Sequence, residues 1–283
     1  MRNVSPIFAS IVIPVFNEQD SLPILMAELD QVLVTVTHPV EVIFVNDCST
    51  DGSSDILVDF ERTHTFVRVI HLDQRGGQTG CYQVAFAEAR GEHIIRMDGD
   101  LQDDPSDLLQ FFRCLEDGRD LVMGLRTMRK HRRLLRACSI FYDCIMVVLF
   151  DSPLYTNTSS FVAFRAKHVK NMSFKKNDHR YLPIIAMHRG AENLKEVIIA
   201  SRERKFGQSK YKNLQKVLHG IPEVIGFIIR MMAGYYDVTR IHQPPELPWH
   251  SSSNTVVSRV GGKDTSRIMW RRERLSAVRR GAK

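Results

Sequence analysis

The feature that most constrains this chain is its rhythm. In the first half, short β-branched runs alternate with stretches of helical spacing. Residues 10–15 read as a buried strand. Residues 20–36 read as a helix with Leu22, Leu25, Leu29, Val32 and Val36 on one side, and residues 41–45 as a second strand. The pattern continues with helices over 56–62, 80–89 and 106–116, and strands over 66–72, 93–97 and 120–124. Strands alternating with helices predict an α/β layer fold with a mostly parallel sheet. Such sheets bind ligands at the carboxyl ends of their strands. Asn17-Glu18, Asp47 and the acidic run 98–104 fall there.

The second half is less regular. Residues 126–136 hold six Lys/Arg, one His and no acid, and 202–212 form a second basic loop. Residues 161–165 suit a further strand. Two apolar stretches, 134–150 and 214–236, are interrupted by charges. Neither supplies the about 18 uninterrupted apolar residues that span a bilayer, yet both suit its surface. Beyond about 240 the chain turns Pro/Ser-rich, then basic, and little ordered structure is expected.

Charge sharpens this picture. The formal net charge is +7, and residues 259–283 alone carry nine Lys/Arg against two acids. The body is therefore balanced, which argues against nucleic acid as a partner. Apolar residues at 43% and charged residues at 25% are ordinary for a globular protein and exclude collagen-like, wholly disordered and polytopic classes. Five cysteines without CxxC spacing argue against a zinc site or a disulfide framework. The first ten residues lack the apolar core of a signal peptide.

Three constellations carry chemistry. In Met97-Asp98-Gly99-Asp100-Leu101-Gln102, two carboxylates spaced i, i+2 after a strand can share a divalent cation. Their hard oxygen ligands suit Mg²⁺ or Mn²⁺, with the Gln102 amide completing the shell. The same string also suits a plain acidic surface turn. In 45–53, Asp47 stands at a strand end where it can accept from a nucleobase, while Asp51 and Ser53 suit turn and cap roles. In Pro14-Val15-Phe16-Asn17-Glu18, a strand turns into a helix, and Glu18 suits either a ligand or a first-turn acid favoured by the helix dipole.

In this order, the three strings resemble glycosyltransferase family 2, the inverting enzymes of the GT-A fold. His179-Arg180-Tyr181-Leu182-Pro183 and the string Arg202-Glu203-Arg204-Lys205-Phe206-Gly207-Gln208-Ser209-Lys210-Tyr211 look like the polyprenyl-phosphate branch. The resemblance covers roughly residues 8–236. It implies a GT-A-like nucleotide-sugar-binding fold followed by amphipathic interface helices. The implied divisions are a catalytic domain over 1–210, a membrane-interface helix over 211–239 and a flexible basic tail over 240–283.

The resemblance also implies roles. Pro14, Phe16, Glu18, Asp47, Gln78 and Asp98 would bind the donor, and Asp98, Asp100 and Gln102 the metal. Arg126, Arg133, Arg136, Arg202 and Ser209 would hold the acceptor phosphate, and Asp100, Arg204 and Lys210 would act in catalysis. Arg75 stands where relatives carry Asn, and 156–164 departs from the usual acid-plus-glycine version. The implied partners are a nucleotide-diphosphate sugar, a polyprenyl phosphate and the membrane surface, at its cytoplasmic face. A phosphate acceptor needs no strong base. A sugar-hydroxyl acceptor, the second expectation, does, and Asp178 is then the candidate, while the same residue also suits a hydrogen bond to a donor-sugar hydroxyl or a helix cap. A third expectation is a silent nucleotide-sugar binder that has lost transfer.

Overall fold

The computed structural model describes residues 6–126, 144, 147–155, 159–200, 202, 213–238 and 249–251. Its strands are β1 (Ala9–Val15), β2 (Val40–Asn46), β3 (Val67–Leu72), β4 (His93–Arg96), β5 (Leu121–Arg126), β6 (Val162–Arg165), β7 (Leu194–Ile199) and β8 (Trp249–Ser251). Its helices are α1 (Leu22–Leu33), α2 (Ser53–Thr63), α3 (Gly77–Glu88), α4 (Leu108–Glu116), α5 (Leu182–His188) and α6 (Asn213–Met232). The strands form one sheet in the order β7-β5-β6-β4-β1-β2-β3-β8. β1 pairs parallel with β2 and β4, and β2 with β3. β6 runs antiparallel between β4 and β5, while β7 runs parallel to β5. The expected mostly parallel α/β sheet is present.

Alternation along the strands sorts the helices into two layers. Ile11, Ile13, Val42 and Phe44 point to one face and pack with α1, α2 and α4 through Leu25, Leu57 and Phe111. Val12, Ile43 and Val45 point to the other face and pack with α3, α5 and α6 through Tyr82, Phe86, Ile185 and Phe227. From β1 the chain steps outward through β2 and β3, then returns to place β4 on the opposite side of β1. That reversal opens a crevice at the carboxyl ends of β1 and β4, where an open α/β sheet takes its ligand.

The helix expected over 80–89 begins three residues earlier, at Gly77, whose φ of +62° makes a sharp turn out of the preceding loop. α5, β7 and β8 were not anticipated from the sequence. α5 is only seven residues long and begins with Pro183 in its first turn, too short for periodicity to register. β7 has Lys195 and Glu196 in an edge strand, which masks its apolar alternation. Within the stretch expected to be a tail, Trp249–Ser251 pairs antiparallel with β3. The helix expected over 134–150 lies mostly outside the described residues, of which 144 and 147–150 are helical. Among the described residues, no helix is long and apolar enough to cross a membrane.

Gly91 is where the turn into β4 crosses β1. A Cβ there would lie 2.5 Å from the Ser10 nitrogen and 2.7 Å from the His93 oxygen, both backbone atoms that cannot swing away. Gly91→Ala is expected to destabilise the fold by about 1–3 kcal/mol. An unchanged denaturant midpoint would contradict this packing.

Candidate active site

The crevice is built from loops that bond to one another more than to themselves. After β1, Asn17 adopts φ +55° and its backbone N–H donates to Ser49 Oγ at 3.0 Å. Its side-chain oxygen accepts from the Thr50 backbone at 2.8 Å. The Glu18 N–H donates to Ser53 Oγ at 2.9 Å, and the Gly52 N–H to Gln19 Oε1 at 2.8 Å. Asp51 accepts from Ser53 and Gln19. Burial opposes its charge, but these hydrogen bonds prevail and hold its pKa below the ordinary value. Asp51 is thus an organiser of the turn. The Glu18 carboxylate accepts from Ser21 Oγ at 3.0 Å in the turn that leads into α1.

At the tip of β2, Asp47 is buried and its carboxylate is surrounded by donors. Gly76 N–H reaches Oδ1 at 2.7 Å, Gly77 N–H lies 3.2 Å from both oxygens, and Arg75 Nε donates to Oδ2 at 2.9 Å. Pro14 and Phe16 lie half-buried at the end of β1. Gln78, in the first turn of α3, donates to Asp98 Oδ1 at 3.3 Å.

The acidic loop after β4 is crowded with like charge. Burial raises the Asp98 pKa to about 6, and the neighbouring carboxylates of Asp103 and Asp100 push in the same direction. Asp103 is fully buried and held by Arg126 Nη2 at 2.6 Å and Ser160 Oγ at 3.2 Å. Asp100 accepts from the Gln102 N–H at 3.2 Å. Leu101 between them adopts φ +62°, a left-handed conformation that costs an L-residue roughly 1–2 kcal/mol. Among the described residues, no three His, Cys, Asp or Glu side chains converge as a metal cluster. The donor set nevertheless fits Mg²⁺ or Mn²⁺, because such ions bind through one or two carboxylates and complete their shell with substrate phosphates and water. A cation beside Asp98 and Asp100 would also relieve their crowding.

Two arginines expected near an acceptor phosphate are committed elsewhere. Arg126 braces Asp103 and Ser160. Arg202 Nη1 donates to both oxygens of Glu28 at 2.8 and 2.7 Å, Nη2 donates to Asp104 at 2.6 Å, and the backbone N–H donates to Gln102 O. It straps the end of β7 to α1 and the acidic loop. Arg133, Arg136, Arg204, Ser209 and Lys210 lie outside the described residues.

On the other side, Asp178 is fully buried in a 3₁₀ turn. It accepts from Arg230 Nη2 at 2.6 Å, Tyr236 OH at 2.7 Å and the Lys175 N–H at 2.7 Å. Burial nevertheless raises its pKa above the ordinary value. Next to it, His179 Nδ1 lies 2.8 Å from Thr79 Oγ1, and the same oxygen accepts from the Asn177 N–H. The Thr79 hydroxyl thus bridges the His179 imidazole and the Asn177 backbone. Burial, with Arg96 and Arg180 nearby, lowers the His179 pKa to about 3. The Arg96 guanidinium holds the carbonyls of His179, Ser159 and Ser160. Sequence reading missed the roles of Arg96 and Arg230, and the partner of Asp103, because the residues they bond to are distant in the chain.

Comparison with known proteins places this geometry in context. The family model described as glycosyl transferase family 2 matches residues 10–171. The chain is 29% identical over 227 residues to the undecaprenyl-phosphate 4-deoxy-4-formamido-L-arabinose transferase of Serratia proteamaculans (strain 568), covering 80% of this chain and 69% of the relative. It is 30% identical over 212 residues to the protein of the same name from Pseudomonas syringae pv. syringae (strain B728a), covering 74% and 62%. The chain thus spans about two thirds of the length of these relatives. In fold it is similar to Mycobacterium tuberculosis glucosyl-3-phosphoglycerate synthase solved with Mn²⁺ and UDP-glucose, with a TM-score of 0.60 and 17% identity, covering 80% of this chain and 79% of that one. S. aureus TarS residues 1–349, solved with UDP-GlcNAc, gives a TM-score of 0.53 at 18% identity, covering 79% and 67%.

Asp178→Asn would leave the Arg230 guanidinium without its charged partner. The expected loss is about 1–3 kcal/mol of stability, read as a lowered melting temperature. An unchanged melting temperature would mean that Asp178 is not the node described.

Proposed function

The chain belongs to glycosyl transferase family 2, and on that footing we propose that it moves a sugar from a nucleotide-diphosphate sugar to a polyprenyl phosphate at a membrane surface. The donor lies over the carboxyl ends of β1–β4, with Pro14, Phe16, Glu18, Asp47 and Gln78 on the nucleotide side. Asp98 and Asp100 with the Gln102 amide would hold Mg²⁺ or Mn²⁺, which would offset the charge of the departing diphosphate. A phosphate oxygen of the acceptor attacks the anomeric carbon as the carbon–oxygen bond to the diphosphate breaks, and the configuration inverts. Arg204, Ser209 and Lys210 belong to a string that resembles the family's phosphate-binding loop, and Arg133 and Arg136 supply further cations. Arg126 and Arg202 act by holding Asp103, Asp104 and Glu28 in place.

The observation that carries the choice of acceptor is the state of Asp178. A sugar hydroxyl attacks well only when a base removes its proton. Asp178, the residue expected to serve as that base, is buried and already accepts from Arg230, Tyr236 and Lys175. A phosphate monoester has a second pKa of about 6 and is largely ionised near neutral pH without a base. Catalysis then rests on positioning and on charge stabilisation. The likeness to undecaprenyl-phosphate transferases, which extends well past the donor half, supports the same acceptor.

An apolar stripe supports the membrane part of the reading. α6 packs Phe227 and Met231 inward while Ile225, Ile229 and Met232 are 52%, 60% and 84% exposed at helical spacing. Phe150 packs on Phe227 with ring centroids 5.6 Å apart, which sets the exposed Val147, Val148 and Leu149 beside the same helix. Exposed apolar residues in this arrangement suit a lipid surface.

Incubation with Mg²⁺ or Mn²⁺, a panel of UDP- and GDP-sugars and a polyprenyl phosphate in detergent should yield a glycolipid by mass spectrometry. Asp100→Ala should lower turnover by at least about 100-fold. Transfer only to sugar hydroxyls, or donor binding without transfer to any acceptor, would overturn the reading. Separately, the protein should float with vesicles containing anionic lipid. Ile225→Ser/Ile229→Ser/Met232→Ser should stay in the soluble fraction while keeping its melting temperature. Equal flotation of the two proteins would remove α6 from the membrane contact.

A further inference from the structure

Three side chains at the carboxyl ends of adjacent parallel strands meet at the nucleotide side of the crevice. Phe16 follows β1, Asp47 follows β2 and Arg75 follows β3. The Arg75 guanidinium carbon lies 3.3 Å over the centroid of the Phe16 ring, a stacking distance. Its Nε donates to Asp47 Oδ2 at 2.9 Å. The side chains of this pair differ in exposure, 52% for Arg75 and 4% for Asp47. Among the described residues, Arg75 Nη1 and Nη2 donate to no protein acceptor.

This arrangement changes who can touch a base. The resemblance gives Phe16 and Asp47 to the nucleotide, but one face of Phe16 is covered by the guanidinium. A carboxylate offers about four lone-pair sites. Those of Asp47 already receive the N–H groups of Arg75, Gly76 and Gly77. Moving Arg75 aside would break its pair with a nearly buried charge and remove the cation from the ring, and both changes are unfavourable. Leaving it in place offers a planar, half-exposed cation whose amino groups remain to donate. Guanidinium planes stack on flat π-systems, and their amino groups match the carbonyl oxygens of bases.

We propose that Arg75 is the surface on which the donor's nucleobase rests. Phe16 backs its plane from below, and Asp47 fixes it in position instead of reading the base. Asp47 is then a positioning residue. Its contribution to nucleotide binding passes through Arg75. The inference rests on the nucleotide-sugar reading of this crevice.

The test is calorimetric binding of UDP, GDP and inorganic diphosphate, each with Mn²⁺, to the full chain. Arg75→Ala should weaken both nucleotides about tenfold, in line with the loss of one stacking surface, and leave diphosphate binding unchanged. Arg75→Lys should not rescue binding, because an ammonium has no plane. Asp47→Asn should also weaken the nucleotides, but it should add no further loss in the Arg75→Ala background, since coupled residues are not additive. Equal or tighter nucleotide binding by Arg75→Ala would overturn the proposal and make Phe16 the seat of the base. A full additional loss from Asp47→Asn in that background would overturn it in favour of direct reading by Asp47. If the unaltered protein binds diphosphate and binds nucleotides no more tightly, the proposal alone fails. If it binds none of the three, the donor-site reading fails as well.

Discussion

A buried carboxylate at the tip of β2 must find compensation, and the crevice is arranged around that requirement. Asp47 cannot stay charged in the interior without donors. It finds them in the loop that follows β3, in the backbone of Gly76 and Gly77 and the side chain of Arg75. Its own N–H donates to Val15 O, at the end of β1. One charge thus ties together three strand ends and the start of α3. The bonds from Asn17, Glu18 and Gln19 to 49–53 fasten the same loops laterally.

Charge on the other side of the crevice is handled differently. Asp98, Asp100, Asp103 and Asp104 follow one strand end, and their mutual repulsion is only partly met by protein cations. Arg126 and Arg202 hold Asp103 and Asp104, the outer members of the run. Asp98 remains the carboxyl with the raised pKa, next to Asp100. Arg126 and Arg202 thus frame the loop through its buried and half-buried acids. Much of the backbone strain falls in the same places. Of the left-handed non-glycine residues among those described, Asn17, Cys48, Leu101 and Asn177 lie in loops around the crevice, and Asp151 and Asn171 lie elsewhere. Such strain persists only where surrounding bonds hold it, and it gathers at functional sites.

α6 connects the two ends of the proposed reaction physically. Its inner face carries Arg230 to Asp178, and Glu223 takes the Asn177 amide and the Arg180 guanidinium. The turn 178–180 that presents His179 to Thr79 is thus bonded on one side to α3 and on the other to the helix with the exposed apolar stripe. A sequence window sees Asp178 as an acid before His179-Arg180 and naturally reads it as a base. The fold buries it against Arg230 of α6, 52 residues away, and Tyr236.

What the sequence determined by itself was the frame. Alternating apolar runs set the parallel strands, because period and length are local properties. Asp47, Asp98 and Asp100 were legible as strand-end residues, since a carboxyl end is defined by the strand before it. Short or edge elements such as α5 and β7 escaped, having too few residues or too many charges for a clear period. The identity of each acid's partner was also hidden. Only the tertiary structure decided that Arg75 stacks on Phe16, that Arg126 and Arg202 brace the acidic loop, and that Asp178 accepts from Arg230 and Tyr236. Such contacts act over about 3 Å in space, and the ion pairs of Arg75, Arg126, Arg202 and Arg230 bridge sequence separations from 23 to 174 residues, which leave no local signature.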